Sequence, residues 1–266
     1  MELPHELTSW DDVAVDELRA RWQVPELHVL KMTSSTNDDA RLLGERGAPG
    51  GATVVADLQT AGRGRRGRRW HGNTGQSLHF SMLLRPPVNG FACLGAAPVR
   101  VGLIALHALR LQTGIAAHLK WPNDLVRGGR KLGGILCESV LGNNPFIVVG
   151  IGINIGQSES DFPADLRAIA TSLVLEARQP VQRIDVAGAL ARGLLASANQ
   201  IAEPFAAPEL DALFTSDALR GHTIELDGEA VGTALGINEE GALLVRTSHG
   251  VRIVHSGTVR VADAVS

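Results

Sequence analysis

The spacing of apolar positions predicts helices over much of the first 216 residues. Apolar side chains recur three and four positions apart in several segments, which places them on one face of a helix. The first segment has Ser9 as its predicted N-cap and Val13, Leu18 and Trp22 on its apolar side. The predicted helices cover residues 8–22, 34–47, 96–114, 182–202 and 208–215.

Short apolar runs predict strands between these helices. From about residue 217 the pattern changes to short strand-like runs alone. The earlier strands are predicted at 27–32, 52–57, 78–85, 118–140 and 146–155, with a turn at Gly128 and Gly129. Five shorter runs follow at 223–227, 230–237, 242–247, 251–256 and 258–261. The pattern therefore predicts a domain of helices and strands over residues 1–216 and a small β-barrel over 217–266.

Composition restricts the class of protein. Of 266 residues 44% are apolar, and no apolar run approaches the roughly 20 residues that cross a bilayer. The amino-terminal segment carries acids where a secretory signal needs basic residues and an apolar core. Cys93 and Cys137 lack CxxC spacing, so we expect both to be buried thiols in a reducing compartment. These features predict a cytoplasmic protein that does not span a membrane.

Residues 62–70, GRGRRGRRW, concentrate five arginines in a chain whose formal net charge is -3. A dinucleotide-binding GxGxxG turn would open a helix, which RRWHGNTG cannot continue, and a Walker loop would end in GK[ST]. A loop without function is disfavoured because like charges repel. A nucleic-acid-binding patch stays open as an alternative. We favour a loop that is disordered alone and closes over a small polyanion, which guanidinium groups and glycine N–H groups can bind.

A second motif is KWPNDLVRGGRKLGGIL at 120–136. It contains two of the three lysines of the chain, whose other 22 basic residues are arginine. A compact ammonium in so arginine-rich a chain suggests a site that needs a point charge. Lys131 and Gly133 are predicted to share one face of a strand. Two structural alternatives stay open, with Lys131 as a solvated hairpin residue and Gly133 and Gly134 as a bulge.

Several motifs together resemble those of the biotin protein ligases. They are SSTN at 34–37, QTAGRGRRGRRW at 59–70, KWPNDL at 120–125, RKLGGIL at 130–136 and GIGIN at 150–154. The resemblance implies an α/β (α+β) catalytic domain built on a mixed sheet and related to that of class II aminoacyl-tRNA synthetases, followed by an SH3-like barrel. Some members add an amino-terminal DNA-binding domain, for which the 33 residues before SSTN are too few. We therefore expect the stand-alone form, which does not bind DNA.

The resemblance also implies a two-step reaction. Biotin and ATP give biotinyl-5'-AMP and pyrophosphate, and a lysine of a biotin carboxyl carrier domain of an acyl-CoA carboxylase then displaces AMP. Mg2+ is expected to arrive with ATP, and no protein-bound metal is expected, because His71 and His79 lack further ligands at metal spacing. The chain is expected to be a monomer or weak homodimer. A lipoate ligase is the nearest alternative, which the complete arginine loop disfavours.

The resemblance implies a role for each motif residue. The expected catalytic residues are Lys131, Arg65 and Asp124. The expected biotin-binding residues are Ser35, Thr36, Asn37, Gln59, Arg63, Gly64, Arg65, Lys131 and Gly133. The expected ATP-binding residues are Arg66, Arg68, Arg69, Trp70, Lys120, Asn123 and Asn154. Alternatives stay open for Ser35 and Thr36 as helix caps, for Trp70 as a packing anchor, and for Asp124 as part of a rigid corner.

Overall fold

A computed structural model describes residues 6–87, 91–177 and 179–262, and a seven-stranded sheet lies at its centre. In spatial order its strands are β3 (Leu27–Leu30), β4 (Thr53–Ala56), β5 (Ser77–Leu84), β9 (Phe146–Asn154), β8 (Arg130–Val140), β7 (Asp124–Arg127) and β6 (His118–Lys120). Only β3 and β4 pair in parallel, and every other neighbouring pair is antiparallel. The predicted mixed sheet is confirmed, including the turn at Gly128 and Gly129, where both φ angles are positive.

Helices cover both faces of this sheet. They are α1 (Val15–Trp22), α2 (Thr36–Glu45), α3 (Ala96–Thr113), α4 (Leu173–Glu176), α5 (Arg183–Ala196) and α6 (Ala207–Ser216). Helix α2 packs on one face, and α1, α3 and α5 pack on the other. Strand β4 is therefore buried on both faces. Val54 packs in the core beneath α2, and Val55 packs in the core beneath α1, α3 and α5. A strand covered on both faces loses the apolar–polar alternation of a half-exposed strand.

The predicted amino-terminal helix is wrong in its first seven residues, 8–14. Strands β1 (Ser9–Trp10) and β2 (Val13–Ala14) form a hairpin there, and α1 begins only at Val15. Asp11 and Asp12 adopt positive φ angles of 48° and 63°, the conformation of a tight two-residue hairpin turn. Ser9 is therefore a strand residue and not an N-cap.

Other predicted helix boundaries agree more closely with the structure. Ser35 occupies the N-cap position of α2 in an extended conformation, but its side chain makes no capping hydrogen bond. Gly114 ends α3 with a φ of 70°, a left-handed conformation that favours glycine. Cys93 and Cys137 are free thiols, and both are half-buried where full burial was expected.

The five predicted carboxyl-terminal strands are all present. They are β10 (Thr223–Leu226), β11 (Glu229–Ile237), β12 (Leu243–Thr247), β13 (Gly250–Val254) and β14 (Val259–Val261). They form an antiparallel sheet in the order β13-β12-β11-β10-β14. Helix α6 precedes this β domain and contacts both β6 and β11. The domain boundary after residue 216 stays a prediction.

Across residues 6–87, 91–177 and 179–262, no helix combines the length and the apolar character that crossing a bilayer requires.

Candidate active site

A cavity of about 1230 Å³ lies on the α2 face of the central sheet. Its floor is formed where β5 and β9 carry polar or glycine residues, such as His79, Gly150 and Gly152, in place of core side chains. The predicted site residues that line it are Ser35, Thr36, Asn37, Gln59, Arg63, Gly64, Arg65, Arg68, Arg69, Trp70, Lys120, Asn123, Asp124, Lys131 and Asn154. Residues of all five motifs therefore converge on one cavity, while Arg66 and Gly133 lie outside its lining.

The start of α2 forms a buried polar network at one end of the cavity. The Thr36 N–H and hydroxyl both donate to Oε1 of Gln59, at 2.8 and 3.1 Å. Ser81 Oγ lies 2.7 Å from both Thr36 Oγ1 and Asn37 Oδ1. Asn37 Nδ2 donates to Glu138 at 2.7 Å. These side chains hold one another in fixed orientations, as a site for a small polar group requires.

The arginine segment, residues 62–70, folds back on itself as a narrow loop. The N–H of Gly64 donates to Arg68 O at 2.7 Å, and the N–H of Trp70 donates to Gly62 O at 2.9 Å. Gly67 takes a φ of 72° at the tip. A Cβ atom on Gly62 would lie 2.9 Å from Trp70 O, so the close approach of the two arms requires glycine.

The arginine side chains of this loop have separate partners. Arg63 donates to Asp38 at 2.7 Å, Arg69 to Thr60 O at 3.0 Å and Arg65 to Asn123 Oδ1 at 3.4 Å. Arg68 donates to Thr258 Oγ1 at 3.3 Å, and Arg66 donates to Asp227 at 2.5 Å. Burial lowers the pKa of Arg65, and the neighbouring Arg66 and Arg68 lower it further.

The expectation that Arg66 faces the cavity is not met. Arg66 adopts a positive φ of 56° at the loop tip, and its guanidinium instead pairs with Asp227, just after β10. The physical reason is local charge, because Asp227 offers a carboxylate to the exposed tip of an otherwise cationic loop. This contact links the arginine segment to the carboxyl-terminal β domain.

Lys131 lies beside Asp124 and Trp70. Its Nζ atom is 2.6 Å from Asp124 Oδ1 and 5.8 Å from the centre of the Trp70 ring. A β-bulge sets this geometry, because Leu125 pairs with Gly133 whereas the next residue, Val126, pairs with Lys131. The extra residue reverses the alternation along β8.

The prediction that Lys131 and Gly133 share a face is therefore wrong. A Cβ atom on Gly134 would lie 3.5 Å from Lys131 Nζ, whereas one on Gly133 would meet Gly152 O at 2.7 Å. Gly134 lines the cavity with Lys131, and Gly133 allows β8 to approach β9 closely. The alternative of a bulge at Gly133 and Gly134 is wrong by one residue: the bulge lies at Leu132, and the two glycines pair in regular register with Leu125 and Asp124.

Several cations surround the Asp124 carboxylate. Burial lowers the pKa of Lys120, Asp124 opposes that shift, and Lys131, Arg260 and Arg68 lower the pKa further. Because these cations share one nearby carboxylate, this part of the cavity has an excess of positive charge. It is suited to an anionic ligand with several charged oxygens.

Trp70 packs its indole ring onto the cavity floor. A Cβ atom on Gly152 would lie 2.5 Å from the ring, so only glycine leaves room for the indole there. Asn154, at the end of β9, is buried and donates to Thr171 O at 2.9 Å. Within the described ranges, no group of three or more His, Cys, Asp or Glu side chains could hold a metal ion.

Comparisons with known proteins decide the family. Models of the "Biotin/lipoate A/B protein ligase family" and the "Biotin protein ligase C terminal domain" match residues 29–154 and 223–261. The bifunctional ligase/repressor BirA of Bacillus subtilis is 36% identical over 86% of this chain and 71% of its own length. The biotin–[acetyl-CoA-carboxylase] ligase of Paracoccus denitrificans is 34% identical over 87% of this chain and 98% of its own. The chain belongs to the biotin protein ligase family.

A solved structure supports the same assignment. The Aquifex aeolicus biotin protein ligase in complex with biotin and ATP has a TM-score of 0.74 and 30% identity, and it covers 90% of this chain and 100% of its own. The fold of the present ligase, a mixed-sheet catalytic domain with a carboxyl-terminal β domain, is therefore that of the family.

Ser81, which supports Thr36 and Asn37, and Thr258 and Arg260, which line the cavity of this ligase, were not predicted from the sequence. Ser81 had a sequence signal, because it shares a strand face with Ser77 and His79 in an otherwise apolar strand. Thr258 and Arg260 had none, because they reach the cavity from the carboxyl-terminal β domain.

Proposed function

We propose that the ligase activates biotin with ATP and transfers it to a lysine of a biotin carboxyl carrier domain. The biotin carboxylate attacks the α-phosphorus of ATP, a P–O bond forms, and pyrophosphate leaves. The ε-amine of the carrier lysine then attacks the acyl carbon and loses a proton, and AMP leaves as an amide bond forms. The observation that carries this proposal is the convergence of Lys131, Arg65 and the Gln59 network on one cavity.

The first step must bring a carboxylate to a polyanionic triphosphate. Lys131 is assigned to hold that carboxylate beside the α-phosphate and to stabilise the negative charge between them. Arg65 is assigned to the same reacting groups from the arginine loop. This assignment of Arg65 is supported by two observations. Arg65 is half-buried, and its guanidinium donates to Asn123, which immediately precedes β7. Positioning and electrostatic stabilisation account for most of the catalysis expected of such a site.

The biotin slot is assigned to the polar end of the cavity. Biotin is apolar apart from its ureido ring and its carboxylate, so a few fixed polar groups in an apolar slot can orient it. The proposed contacts to the ureido group are Ser35, Thr36, Asn37 and Gln59, with Arg63 and Gly64 closing over them. Gly134 replaces Gly133 in this set, because Gly134 lines the cavity.

The nucleotide is assigned to the more cationic end of the cavity. Arg68, Arg69, Lys120 and Arg260 are proposed to face the triphosphate, which brings Mg2+ with it. Trp70, Asn123 and Asn154 are proposed as contacts to the rest of the nucleotide. Arg66 is proposed to join the phosphates only if ATP displaces it from Asp227.

The second step needs a neutral acceptor amine. Asp124 already pairs with an ammonium at 2.6 Å, that of Lys131, so it is suited to orient a second amine or to accept its proton. The acceptor is proposed to be a biotin carboxyl carrier domain of an acyl-CoA carboxylase. The chain is proposed to act as a monomer or weak homodimer, which sedimentation velocity with and without biotin and ATP measures.

Isotope exchange between pyrophosphate and ATP tests the first step and the choice of acid. Biotin is expected to support exchange, whereas lipoate and octanoate are not. Exchange with lipoate in place of biotin would move the chain to the lipoate branch. Tight, steeply salt-dependent binding of DNA or RNA without any exchange would instead favour a nucleic-acid-binding protein.

A further inference from the structure

His79 is a buried polar residue to which the proposed reaction assigns no role. It lies in the middle of β5 with 1% of its surface exposed. Its Nδ1 atom lies 3.1 Å from Nε2 of Gln59. Gln59 is one of the proposed contacts to the ureido group of biotin, so an inference about His79 rests on the proposed function.

The hydrogen bonds of Thr36 determine which way the Gln59 amide faces. The Thr36 backbone N–H lies 2.8 Å from Gln59 Oε1. A backbone N–H can only donate, so the atom that faces it must be the carbonyl oxygen of the amide. The amide nitrogen of Gln59 therefore faces His79.

The same logic determines where His79 carries its proton. An amide nitrogen can only donate, so His79 Nδ1 must accept and the neutral ring must carry its proton at Nε2. Burial, together with the nearby charge of Arg183 and against the opposing effect of Asp57, lowers the pKa of His79 to about 4. The ring is therefore neutral near pH 7, and Nδ1 is free to accept.

The remaining hydrogen-bonding capacity of Gln59 can then be counted. Oε1 accepts from the Thr36 backbone N–H at 2.8 Å, and the Thr36 hydroxyl lies 3.1 Å from it. Nε2 has two N–H groups, and His79 accepts from one of them. One N–H is left for a ligand at the cavity that Gln59 lines.

We propose that His79 is a positioning residue, which fixes the Gln59 carboxamide so that it offers the biotin slot an N–H donor. A fixed donor selects a head group with a carbonyl oxygen at that position, as a ureido group has. A head group that presents an N–H there leaves two donors facing each other, which costs binding free energy. His79 thus acts on the choice of substrate through Gln59 and without touching the substrate.

Two substitutions separate this role from a structural one. His79→Leu removes the acceptor at similar volume, and His79→Asn keeps an acceptor close to the position of Nδ1. In pyrophosphate exchange, His79→Leu is expected to raise the KM for biotin roughly 10-fold, the loss of one buried hydrogen bond. The KM for ATP and kcat are expected to stay within about 2-fold of wild type. His79→Asn is expected to recover most of the loss.

Several results would overturn the proposal. They are an unchanged KM for biotin in His79→Leu, an equal rise in the KM for ATP, or an equal defect in His79→Asn. Wild-type protein gives a second measurement that does not depend on a variant folding. Long-range 1H–15N NMR is expected to show His79 as the neutral form with its proton on Nε2, and a proton on Nδ1 contradicts the proposal.

The proposed function and the role of His79 are contradicted by different results. If wild-type protein gives no biotin-dependent exchange, the proposed function fails. If wild-type protein is active but His79 carries its proton on Nδ1, only the role of His79 fails.

Discussion

At the scale of single residues, the positive charge of the cavity depends strongly on Lys131. Its ammonium pairs with Asp124. The charge of the Asp124 carboxylate also acts to raise the pKa of Lys120 and of Arg65. One carboxylate cannot neutralise several cations, so the cavity attracts anions before any chemistry begins. A substrate carboxylate and a triphosphate are anions of the required kind. The same cations then oppose the repulsion between those two substrates.

Replacing Lys131 tests this role. Lys131→Ala is expected to lower the rate of acyl-adenylate formation by about 10²–10³-fold, because one charged donor at the reacting groups is lost. The folded state should be little affected, since Lys131 is 38% exposed. Lys31→Ala, at an exposed lysine, is the matched control. A wild-type exchange rate in Lys131→Ala would remove this residue from the mechanism.

The lowered pKa of buried His79 makes the free energy of unfolding depend on pH. Its pKa is about 4 in the folded chain against 6.5 for the unperturbed group, so the unfolded state binds the extra proton between those values. Stability is therefore fully present above pH 6.5 and is lost as the pH falls towards 4. The loss from His79 is about 3 kcal/mol, and His79→Leu is expected to abolish it.

Urea unfolding at pH 7 and pH 4.5 measures this change. His107→Ala, at an exposed histidine, is the control and should follow wild type. If wild type and His79→Leu lost stability in parallel, His79 would not be neutral and buried as described.

Some of these residues could be predicted from sequence and others could not. Thr36, Gln59 and Lys131 lie in motifs whose residue types already indicate polar or anionic recognition. The partners that orient them could not be assigned, because Ser81 and His79 meet Thr36 and Gln59 only through strand pairing and the approach of α2. Such contacts depend on register, which a single sequence leaves open.

At the scale of elements, two local features shape the site. The bulge at Leu132 turns Lys131 and Gly134 to the same side of β8. Trp70, at the end of the arginine segment, packs its indole where Gly152 leaves room. The strands were predictable from their apolar runs. The bulge was not, because it arises from pairing with β7 and from the hydrogen bonds of Lys131 with residues 169–171.

Gly152 provides a test of the Trp70 position. Gly152→Ala places a methyl group 2.5 Å from the indole, so Trp70 must move. The KM for ATP is expected to rise roughly 10-fold, with a change in tryptophan fluorescence, because the displaced ring no longer forms the proposed nucleotide contact. Gly156→Ala is the matched control, since its Cβ meets Gln76 at an ordinary 3.7 Å. A wild-type KM for ATP in Gly152→Ala would contradict the assignment of Trp70.

At the scale of the whole molecule, the carboxyl-terminal β domain completes the cavity. Arg260 contributes positive charge near Lys120, and Thr258 accepts from Arg68. Arg66 pairs with Asp227 across the two parts of the chain. The sequence predicted the strands of this domain but could not predict these contacts, because residues about 160 positions or more apart meet only in the folded chain.

The Arg66–Asp227 pair is expected to restrain the arginine loop. Asp227→Asn is expected to speed tryptic cleavage at the loop roughly 2- to 5-fold, a modest effect because the pair is exposed. Arg66→Gln combined with Asp227→Asn should add nothing beyond Arg66→Gln alone. Glu229→Gln, at a nearby exposed acid, is the control. Additive effects of the two substitutions would mean that the pair does not restrain the loop.

Substrates are expected to protect the same loop. Biotin and ATP together should slow tryptic cleavage within residues 62–70 in the wild-type chain, because the guanidinium groups then hold bound anions. Protection by either substrate alone should be weaker. Cleavage that is indifferent to both would argue against closure of the loop over the substrates.

The central claim is that the arginine loop and Lys131 act on two anionic substrates in one cavity. Intact-mass measurement of a biotin carboxyl carrier domain tests it most directly, after incubation with the ligase, biotin, ATP and Mg2+. The carrier domain is expected to gain one biotinyl group, and this gain is expected to require ATP and to be lost with Lys131→Ala. A carrier domain of unchanged mass, or one labelled equally by Lys131→Ala, would contradict the account.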